Sequence, residues 1–296
     1  MSSFSTSWLS LREGADHRSR NSVLQGQVLK HLEQIGSLKD DPLRIIDLGS
    51  GTGSNLRALA PLICHDQKWT LIDYDQLLLQ AAREKLCAWA DDTVDWKTNN
   101  QSHNDSKIPP VTLVKNNCVI AVHFLQKDLA NDLQSVLSEP ADLITAAAFF
   151  DLVALDWLEQ FCKVLKTSLY TVLTYNGKEA WQPSDPRDTE ILEAFHHHQA
   201  RDKGFGPAAG PLALNNLELL LKRRGFEVFT GSSPWMLGLN DSALIKELAA
   251  GTSKAAAETN LVTHEIAKQW GEQRAKSSRC EIGHDDLFAR YEDSSF

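Results

Sequence analysis

The sequence predicts an α/β fold in which a doubly wound, mostly parallel sheet of seven strands carries helices on both faces. The last strand is expected to be antiparallel, and a helical extension is expected at the N-terminus. Two observations predict this class. Short apolar runs alternate with amphipathic segments of helical spacing, which is the pattern of βαβ units. In addition, IIDLGSGTGSN (45–55) passes from an apolar strand directly into three closely spaced glycines, and ligands bind at such turns in doubly wound sheets.

The first half of the chain supplies an N-terminal helix and two strand–helix units. Leu24, Val28 and Leu32 recur every four residues and predict a helix that ends near Gly36. The runs LRIIDL and WTLID predict the first two strands. A helix is predicted after each of them, over 55–63 and in QLLLQAAREKLCAWA.

The second half continues the alternation after a polar segment, 91–110, that is predicted to be a surface insertion. VTLVK and CVIAVHFLQ flank Asn116-Asn117 and predict a hairpin whose second strand joins the sheet. Further strands are predicted in ADLITAAA, SLYTVLTYN and FEVFTG. Helices are predicted in LANDLQSVL, DLVALDWLEQFCKVL, 189–200, NNLELLLKRRG, and around ALIKELAAG and ETNLVTHEIAKQWGEQRA. CEIGHDDLFARY predicts the last, antiparallel strand.

Composition and charge narrow the functional classes. The net charge of −9 disfavours nucleic acid as a partner, because binding phosphates needs a basic surface. The five cysteines are scattered and never form a C-x-x-C pair, which fits a reducing, cytoplasmic location. No apolar run is long enough to span a membrane. We expect a monomer or homodimer.

The glycine turn and an acid on the second strand predict a nucleoside site. Asp73 ends that strand, twenty residues after Gly53, and a carboxylate there can accept hydrogen bonds from both ribose hydroxyls. Dinucleotide enzymes use the spacing G-x-G-x-x-G/A, whereas this chain has G-x-G-x-G followed by Ser54. Asp47, just before the turn, would repel a pyrophosphate but suits a cationic ligand with an amino group.

Four motifs resemble those of the class I S-adenosylmethionine-dependent methyltransferases. They are DLGSGTG (47–53), LIDYD (71–75), QKDL (126–129) and ADLITAAAFFDLV (141–153), in the order and spacing of that family. The resemblance implies a class I methyltransferase-like fold with S-adenosyl-L-methionine as cofactor. It carries cofactor-binding roles over to Asp47, Gly49, Ser50, Gly51, Gly53, Asp73, Tyr74, Asp128, Leu129 and Ala146.

The acceptor side is predicted from residues that follow the fourth and fifth strands. Phe149, Phe150 and Trp157 with Asp151 could enclose an amine through cation–π contact and ion pairing, although aromatic residues at helical spacing fit a core equally well. Tyr175 is expected to end strand five and to point its hydroxyl into the crevice. With Asp151 and Tyr175, His198 completes the predicted catalytic group.

The stretch AFHHHQARDKGFGPAAGP (194–211) is the most unusual one outside these motifs. Consecutive residues of a helix point about 100° apart, so His196, His197 and His198 cannot converge on one ion, and no metal is predicted. We expect His198, Asp202 and Lys203 to contact the substrate, and Lys203 indicates a carboxylate or phosphate on it. A solvated loop with a capping aspartate is the alternative.

At the N-terminus, Arg12 is predicted to pair with the carboxylate of the cofactor and Trp8 to exclude water from the site. The alternative is a peripheral, salt-bridged helix. The whole chain, 1–296, is predicted as one domain. It is divided into an N-terminal helical lid (1–40), a cofactor-binding core (41–180), and a substrate-side half with an inserted loop and C-terminal helices (181–296).

The sequence thus predicts an S-adenosylmethionine-dependent methyltransferase that acts on a small polar or zwitterionic metabolite. Two alternatives remain open. One is a nicotinamide-dependent oxidoreductase, which would share the turn and the ribose acid. The other is a non-catalytic module that binds S-adenosylmethionine.

Overall fold

The computed structural model describes residues 4–94 and 108–291 of the 296-residue chain. The helices are α1 (Thr6–Ser19), α2 (Ser22–Gly36), α3 (Ser54–Leu59), α4 (Gln76–Trp89), α5 (Leu133–Leu137), α6 (Leu155–Val164), α7 (Asp188–Gln199), α8 (Ala213–Arg223), α9 (Ser242–Ala257) and α10 (His264–Arg274). The strands are β1 (Leu43–Leu48), β2 (Gln67–Asp73), β3 (Asp92–Val94), β4 (Val111–Lys115), β5 (Cys118–Gln126), β6 (Leu143–Ala147), β7 (Leu169–Gln182), β8 (Glu227–Ser232), β9 (Trp235–Leu237) and β10 (Arg279–Arg290).

These strands form one twisted sheet in the order β3-β4-β5-β2-β1-β6-β7-β10-β8, with β9 paired to β10. The five strands from β5 to β7 are parallel to one another, and β10 runs antiparallel to β7 and β8. The predicted doubly wound, mostly parallel sheet with an antiparallel last strand is therefore confirmed. The count differs, because β3, β4 and β9 extend the seven-stranded core.

The chain order reverses between β1 and β6, which are hydrogen-bonded neighbours although about a hundred residues apart. Loops that leave the two strands turn to opposite sides of the sheet, so a crevice opens at their carboxyl ends. The glycine turn follows β1 at this point. Topology therefore fixes where a ligand is to be sought.

The predicted hairpin between β4 and β5 is present. Asn116 and Asn117 both have left-handed φ values, 51° and 64°, as a two-residue type I′ turn requires. The strands pair antiparallel from Lys115 and Cys118 outward. Of the predicted surface insertion, 91–110, residues 92–94 form β3, and residues 95–107 lie outside the described part of the chain.

Apolar side chains cover both faces of the sheet. Along β1, Ile45 packs into one hydrophobic cluster and Ile46 into the other, because successive strand residues point to opposite faces. The predicted face of α2 (Leu24, Val28 and Leu32) is buried against the first of these clusters. Among the described residues, no helix combines the length and the apolar character needed to cross a bilayer.

The predicted N-terminal helices lie over the end of the sheet that carries the glycine turn. Glu13 of α1 accepts two hydrogen bonds from the guanidinium of Arg57 in α3, at 2.7 and 2.8 Å. His17 lies 3.0 Å from the hydroxyl of Ser54. Helix α1 is thus attached directly to the helix that the glycine turn opens.

Asp286 of β10 holds α2 and the sheet together from a fully buried position. Its carboxylate accepts hydrogen bonds from the backbone N–H of Asn21 at 2.8 Å, the backbone N–H of Leu173 at 2.8 Å, and the hydroxyl of Ser233 at 2.5 Å. Leu173 has a φ of 59°, so β7 is locally distorted at this bond. One carboxylate therefore satisfies donors from three segments.

Asp286→Ala is expected to lower the free energy of unfolding by roughly 3 kcal/mol or more, because each buried donor left unpaired costs about 1–3 kcal/mol. Urea denaturation followed by circular dichroism measures this loss. The matched control is Asp285→Ala on the same strand, which removes one hydrogen bond from Asn176 and is expected to cost about 1 kcal/mol. Equal losses in the two variants would contradict the role given to Asp286.

Candidate active site

The glycine turn is held in a conformation that side chains resist. Gly49, Gly51 and Gly53 all have positive φ, at 62°, 52° and 76°, where glycine avoids the steric penalty of a Cβ. A Cβ on Gly49 would lie 2.6 Å from Cδ2 of Phe149. The ring of Phe149, just after β6, therefore packs against the turn. Glycine is required here because a side chain would strain the backbone and, at Gly49, would overlap this ring.

Asp73 ties the turn to the end of β2. Its Oδ2 accepts the N–H of Gly51 at 2.8 Å, and its Oδ1 accepts the N–H of Asp75 at 2.9 Å. Burial raises the pKa of this carboxyl above its ordinary value, against the effect of those two donors. Each carboxylate oxygen keeps a further lone pair, and the residue lines a cavity. This geometry suits two neighbouring hydroxyl donors, as the sequence predicted.

Asp47, Asn55 and Arg20 form a second polar group on the other side of the turn. The amide Nδ2 of Asn55 donates to Oδ1 of Asp47 at 2.7 Å, and its Oδ1 accepts from Arg20 at 2.9 Å. Burial raises the pKa of Asp47 to about 7, although Asn55 and Arg20 act in the opposite direction. Within the described chain, Oδ2 of Asp47 and Nε of Arg20 are buried without a hydrogen-bond partner. Unpaired polar atoms at such depth indicate a missing ligand.

These groups line one cavity of about 560 Å³, within the range of roughly 300–1,000 Å³ usual for small-molecule sites. It lies at the carboxyl ends of β1, β2, β5 and β6, under α1 and the loop after α7. The predicted residues that line it are Arg12, Asp47, Gly49, Ser50, Gly51, Asp73, Tyr74, Leu129, Phe149 and Lys203. The hydroxyls of Ser50 and Thr52 are further buried atoms without a partner among the described residues.

Three residues predicted for the cofactor are not among those that line the cavity. Asp128 accepts hydrogen bonds from the N–H of Ala130 and the side chain of Asn131, so it stabilises its own turn. Ala146 is fully buried within β6, and the next two residues, Ala147 and Ala148, line the cavity instead. Gly53 caps α3, and a Cβ there would meet side chains of α4 and β2.

The aromatic residues after β6 divide between cavity and core. Phe149 lines the cavity, whereas Phe150 is fully buried and Trp157 donates its Nε1–H to the carbonyl of Leu129 at 2.8 Å. Trp157 also stacks on Phe161, with ring centroids 5.4 Å apart. The structure therefore does not form the predicted aromatic enclosure for an amine. Phe150 and Trp157 belong to the hydrophobic core, which was the alternative given for these aromatic residues.

The three predicted catalytic residues have different surroundings. Asp151 is buried on a short 3-10 turn, 150–152, and its Oδ1 has no partner among the described residues. Burial raises its pKa to about 6, while the charge of Arg12 acts to lower it. Asp151 thus lies behind a cavity residue without lining the cavity itself.

Tyr175 and His198 are not brought to the cavity. The hydroxyl of Tyr175 lies 2.9 Å from Nε2 of His196 and donates to Glu179 at 3.1 Å. The sequence placed Tyr175 at a strand end, but β7 continues to Gln182, so the residue is in mid-strand. His198 lies 3.0 Å from a carboxylate oxygen of Glu258 on α9's C-terminal side.

The predicted acceptor loop has a defined turn. Oδ1 of Asp202 accepts the N–H groups of Gly204 and Gly206 at 2.6 and 3.0 Å. Asp202 is exposed, and it stabilises the turn of the loop, as the alternative of a capping aspartate states. Lys203 lines the cavity. Phe205, which the sequence did not single out, lines it as well and contacts Phe149 with a centroid distance of 5.8 Å.

At the N-terminus, Arg12 lines the cavity but is already paired. Its guanidinium makes two hydrogen bonds to Asp16, at 2.9 and 3.1 Å, and lies 5.0 Å from the ring centroid of Trp235. Trp8 packs partly buried against the core, and Phe4 and Leu9 line the cavity in its place.

Sequence reasoning did not assign Arg20 or Asn55 to the site. A four-residue spacing relates Arg12, Asp16 and Arg20. This spacing places them on one face of α1 and its C-cap, and it could have indicated that Arg20 lies near the site together with Arg12. Asn55 stands one residue into the helix after the glycine turn. The described residues contain no group of three or more His, Cys, Asp or Glu side chains that could hold a metal ion.

The fold and the cavity define a class: an α/β protein whose glycine turn and strand-end carboxylate line one cavity at the carboxyl ends of the parallel strands. Residues 46–177 match the family model for a methyltransferase domain. This match supports the resemblance of the chain to the class I, Rossmann-like S-adenosylmethionine-dependent methyltransferases over that region. The matching model describes the general domain rather than a subfamily.

Three solved structures illustrate the similarity in fold. An S-adenosylmethionine-dependent methyltransferase from Thiobacillus denitrificans, in complex with S-adenosyl-L-homocysteine, is 12% identical over 98% of this chain and 100% of its own, with a TM-score of 0.43. YjhP from E. coli is 17% identical over 88% and 92%, with a TM-score of 0.40. Magnesium protoporphyrin IX methyltransferase from Synechocystis PCC 6803, with bound SAM, is 11% identical over 98% and 86%, with a TM-score of 0.42. No curated protein sequence matches the chain significantly.

Gly49→Ala is expected to lower the free energy of unfolding by about 1–3 kcal/mol, because the new Cβ adds left-handed backbone strain and overlaps Phe149. Thermal or urea denaturation measures the loss. The matched control is Gly251→Ala in α9, where a Cβ would meet nothing within 4 Å. That change is expected to be neutral or to stabilise the helix by up to about 1 kcal/mol. A neutral Gly49→Ala would show that the turn is not under this constraint.

Proposed function

We propose that this protein transfers the methyl group of S-adenosyl-L-methionine to a small-molecule acceptor. One observation carries the proposal. A single cavity presents a carboxylate suited to two hydroxyls, Asp73, and beyond the glycine turn a buried anion and cation with unpaired atoms, Asp47 and Arg20. S-adenosylmethionine has a ribose at one end and an amino-acid zwitterion at the other. Its two ends match the two polar groups of the site.

The zwitterion is proposed to bind where Asn55 bridges Asp47 and Arg20. An ammonium group would complete the coordination of Oδ2 of Asp47, and a carboxylate would accept from Nε of Arg20. Burial of either charge without a partner is costly, so each gains from the opposite charge of the ligand. Arg20 is proposed here in place of Arg12 because Asp16 already neutralises Arg12.

The nucleoside is proposed to extend from Asp73 toward the end of β5. Tyr74 is half exposed at 53% and Leu129 is buried at 4%, and both line the cavity. The two side chains offer apolar surface for an adenine ring, while the backbone of the glycine turn lies against the part of the ligand between ribose and zwitterion. Gly49, Ser50 and Gly51 hold this part of the wall.

Methyl transfer from a sulfonium needs alignment of the reacting atoms and exclusion of water more than a charged group that stabilises the leaving group. The bond between sulfur and the methyl carbon breaks while the acceptor bonds to that carbon, and the electron pair stays on sulfur. The positive charge on sulfur therefore disappears in the step. Helix α1 and the loop that carries Lys203 and Phe205 cover the cavity and would exclude water. Of the predicted catalytic residues Asp151 lies nearest in sequence to the cavity wall, but its carboxylate does not line the cavity, so a role in holding the acceptor's proton would require the wall at Phe149 and Leu152 to move.

The wider proposal keeps the division of the chain into a helical lid (1–40), a cofactor-binding core (41–180) and a substrate-side half (181–296). The acceptor is proposed to be a small molecule that enters the same cavity beside the cofactor, and the small polar or zwitterionic class that the sequence suggested is narrowed below. The net charge of −9 and the scattered cysteines support a cytoplasmic protein, monomer or homodimer, that does not use nucleic acid as its substrate.

The alternatives make different demands on the same cavity. A nicotinamide cofactor would bring its pyrophosphate to the turn, next to the buried carboxylate of Asp47, and like charges there repel. A non-catalytic module would bind S-adenosylmethionine and turn over no acceptor. Titration with each cofactor, followed by an acceptor screen, separates the three.

Asp73→Asn is expected to weaken binding of S-adenosylhomocysteine by about 10- to 100-fold, because the amide loses one acceptor for the ribose hydroxyls and the charge that strengthens these bonds. Isothermal titration calorimetry measures the affinity. Asp66→Asn is the matched control: it precedes the opposite end of β2, where the carboxylate accepts the N–H of Val119. The control is expected to bind like the parent. Unchanged affinity in Asp73→Asn, or tighter binding of NAD than of S-adenosylhomocysteine by the parent, would refute the proposal.

Affinity for S-adenosylhomocysteine is expected to rise about tenfold between pH 6 and pH 8. The pKa of Asp47 is raised to about 7, so this carboxyl is mostly neutral at pH 6 and mostly charged at pH 8, while the ligand's ammonium stays protonated. Only the charged form attracts the ammonium, so binding releases a proton below the pKa. In Asp47→Asn the dependence should disappear and the affinity should be low throughout. A pH-independent parent would exclude Asp47 as the ammonium partner.

A further inference from the structure

The acceptor side of the cavity is mostly apolar and contains Lys203, a cation with no side-chain partner in the described part of the chain. Around Phe149 the wall consists of side chains from three elements that are distant in sequence: Phe4, Leu9, Ala148, Leu152 and Phe205. Lys203 lies among them. No hydrogen bond or ion pair joins its ammonium to any described residue. This lysine is therefore the distinctive polar group of the acceptor side.

Lys203 is held over the cavity by a structured loop. Asp202 fixes the turn through the N–H groups of Gly204 and Gly206, whose φ values are 104° and 87°. The backbone of Asp202 also forms an isolated bridge with Pro207. Two constraints thus lie on either side of Lys203, so the loop presents the lysine in a defined position.

The same loop is anchored to the element that follows β6. Phe205 packs against Trp157 as well as Phe149, with centroids 5.5 and 5.8 Å apart. A bridge joins Ala208 to Ala154, and the N–H of Ala209 donates to the carbonyl of Val153 at 2.7 Å. The anchor lies next to the glycine turn, which Phe149 touches. Lys203 is therefore fixed relative to the proposed position of the reacting methyl.

Glu258, the carboxylate whose charge acts on Lys203, is already paired with His198. Asp16, which lines the same cavity, accepts from Arg12 and from Nε1 of Trp235. The lysine is half-buried, and burial together with the charge of Arg201 lowers its pKa, while Glu258 acts in the opposite direction. An anion that enters the cavity would relieve this cost, since a charge in such surroundings gains most from a direct partner.

We propose that the methyl acceptor is an amphipathic organic anion, with a carboxylate or phosphate that binds Lys203 and an apolar aryl or alkyl body against Phe149, Leu152 and Phe205. The inference rests on the proposed function and narrows its acceptor class. It differs from a small, fully polar metabolite, because the apolar wall would leave extra polar groups without hydrogen bonds. A purely cationic acceptor is disfavoured by Lys203 itself.

The test measures binding of defined probes to the full chain saturated with S-adenosylhomocysteine. The anionic probes are benzoate, octanoate and phenyl phosphate, the neutral analogue is benzamide, and the cationic analogue is benzylamine. At least one anion is expected to bind tenfold or more tightly than benzamide, with an affinity that falls as salt rises. Benzylamine is expected not to bind.

Variants assign the effect to Lys203. Lys203→Gln is expected to weaken binding of the anion at least tenfold, and Lys203→Arg to retain most of it. Lys222→Gln is the matched control, because Lys222 pairs with Glu218 on α8 and is not among the residues that line the cavity. It should leave binding of the anion unchanged. Affinity for S-adenosylhomocysteine should be the same in Lys203→Gln and in the parent.

The outcomes separate this inference from the function on which it rests. If no anion binds, if benzamide binds as tightly, or if Lys203→Gln has no effect, the anion site is refuted while binding of S-adenosylhomocysteine stands. If Lys203→Gln weakens S-adenosylhomocysteine itself, Lys203 belongs to the cofactor site and the inference fails. If the parent binds benzoate but not S-adenosylhomocysteine, the proposed function fails while the anion site remains.

Discussion

The hydrogen bond from the N–H of Gly51 to Asp73, at 2.8 Å, is the constraint on which the site depends. It joins the turn after β1 to the end of β2, and the N–H of Ser50 adds a second link to the carbonyl of Ile72 at 2.9 Å. The amide of Gly51 can point this way only because the residue adopts a φ of 52°, which glycine tolerates. One bond thus orients both the turn and the carboxylate that a ribose would meet.

The buried charges on the other side of the turn are informative because they are costly. Asp47 is fully buried, and only its Oδ1 has a hydrogen-bond partner among the described residues. A core position for packing alone would be served better by an apolar residue, since an ion buried without complete pairing destabilises the fold. The raised pKa of Asp47 records that cost. Sites that store such a cost are candidates for ligand binding.

Sequence reasoning succeeded where structure depends on local chain geometry. A strand, a glycine turn and an acid at the next strand end are short-range features, so the mostly parallel sheet was predicted correctly. Gly49 to Gly51 and Asp73 lie at the expected strand ends, and their cofactor-binding roles stay predictions. It failed where a side chain's partner is distant in sequence. Tyr175 was expected at a strand end, yet β7 extends to Gln182 because β10 pairs with it along that length. Arg12 was expected to pair with the cofactor's carboxylate, with a salt-bridged helix as the alternative; Asp16 four residues away pairs with it, and its contact with Trp235, which is distant in sequence, was not predicted.

This contrast between local and distant features also describes how the site is built. The proposed cofactor side comes mainly from strand ends within 45–130, joined by Arg20 at the end of α1, whereas the proposed acceptor side combines α1 with a loop about two hundred residues later. Methyl transfer neutralises a sulfonium, so the walls of the acceptor side need only exclude water and can be apolar. In apolar surroundings a single unpaired charge attracts an opposite charge more strongly, and over a longer distance, than it does in water. In the proposed site Lys203 would therefore select among acceptors more strongly than the larger apolar surface around it, and a change in the 200–207 loop would alter the acceptor without disturbing the bond between Gly51 and Asp73.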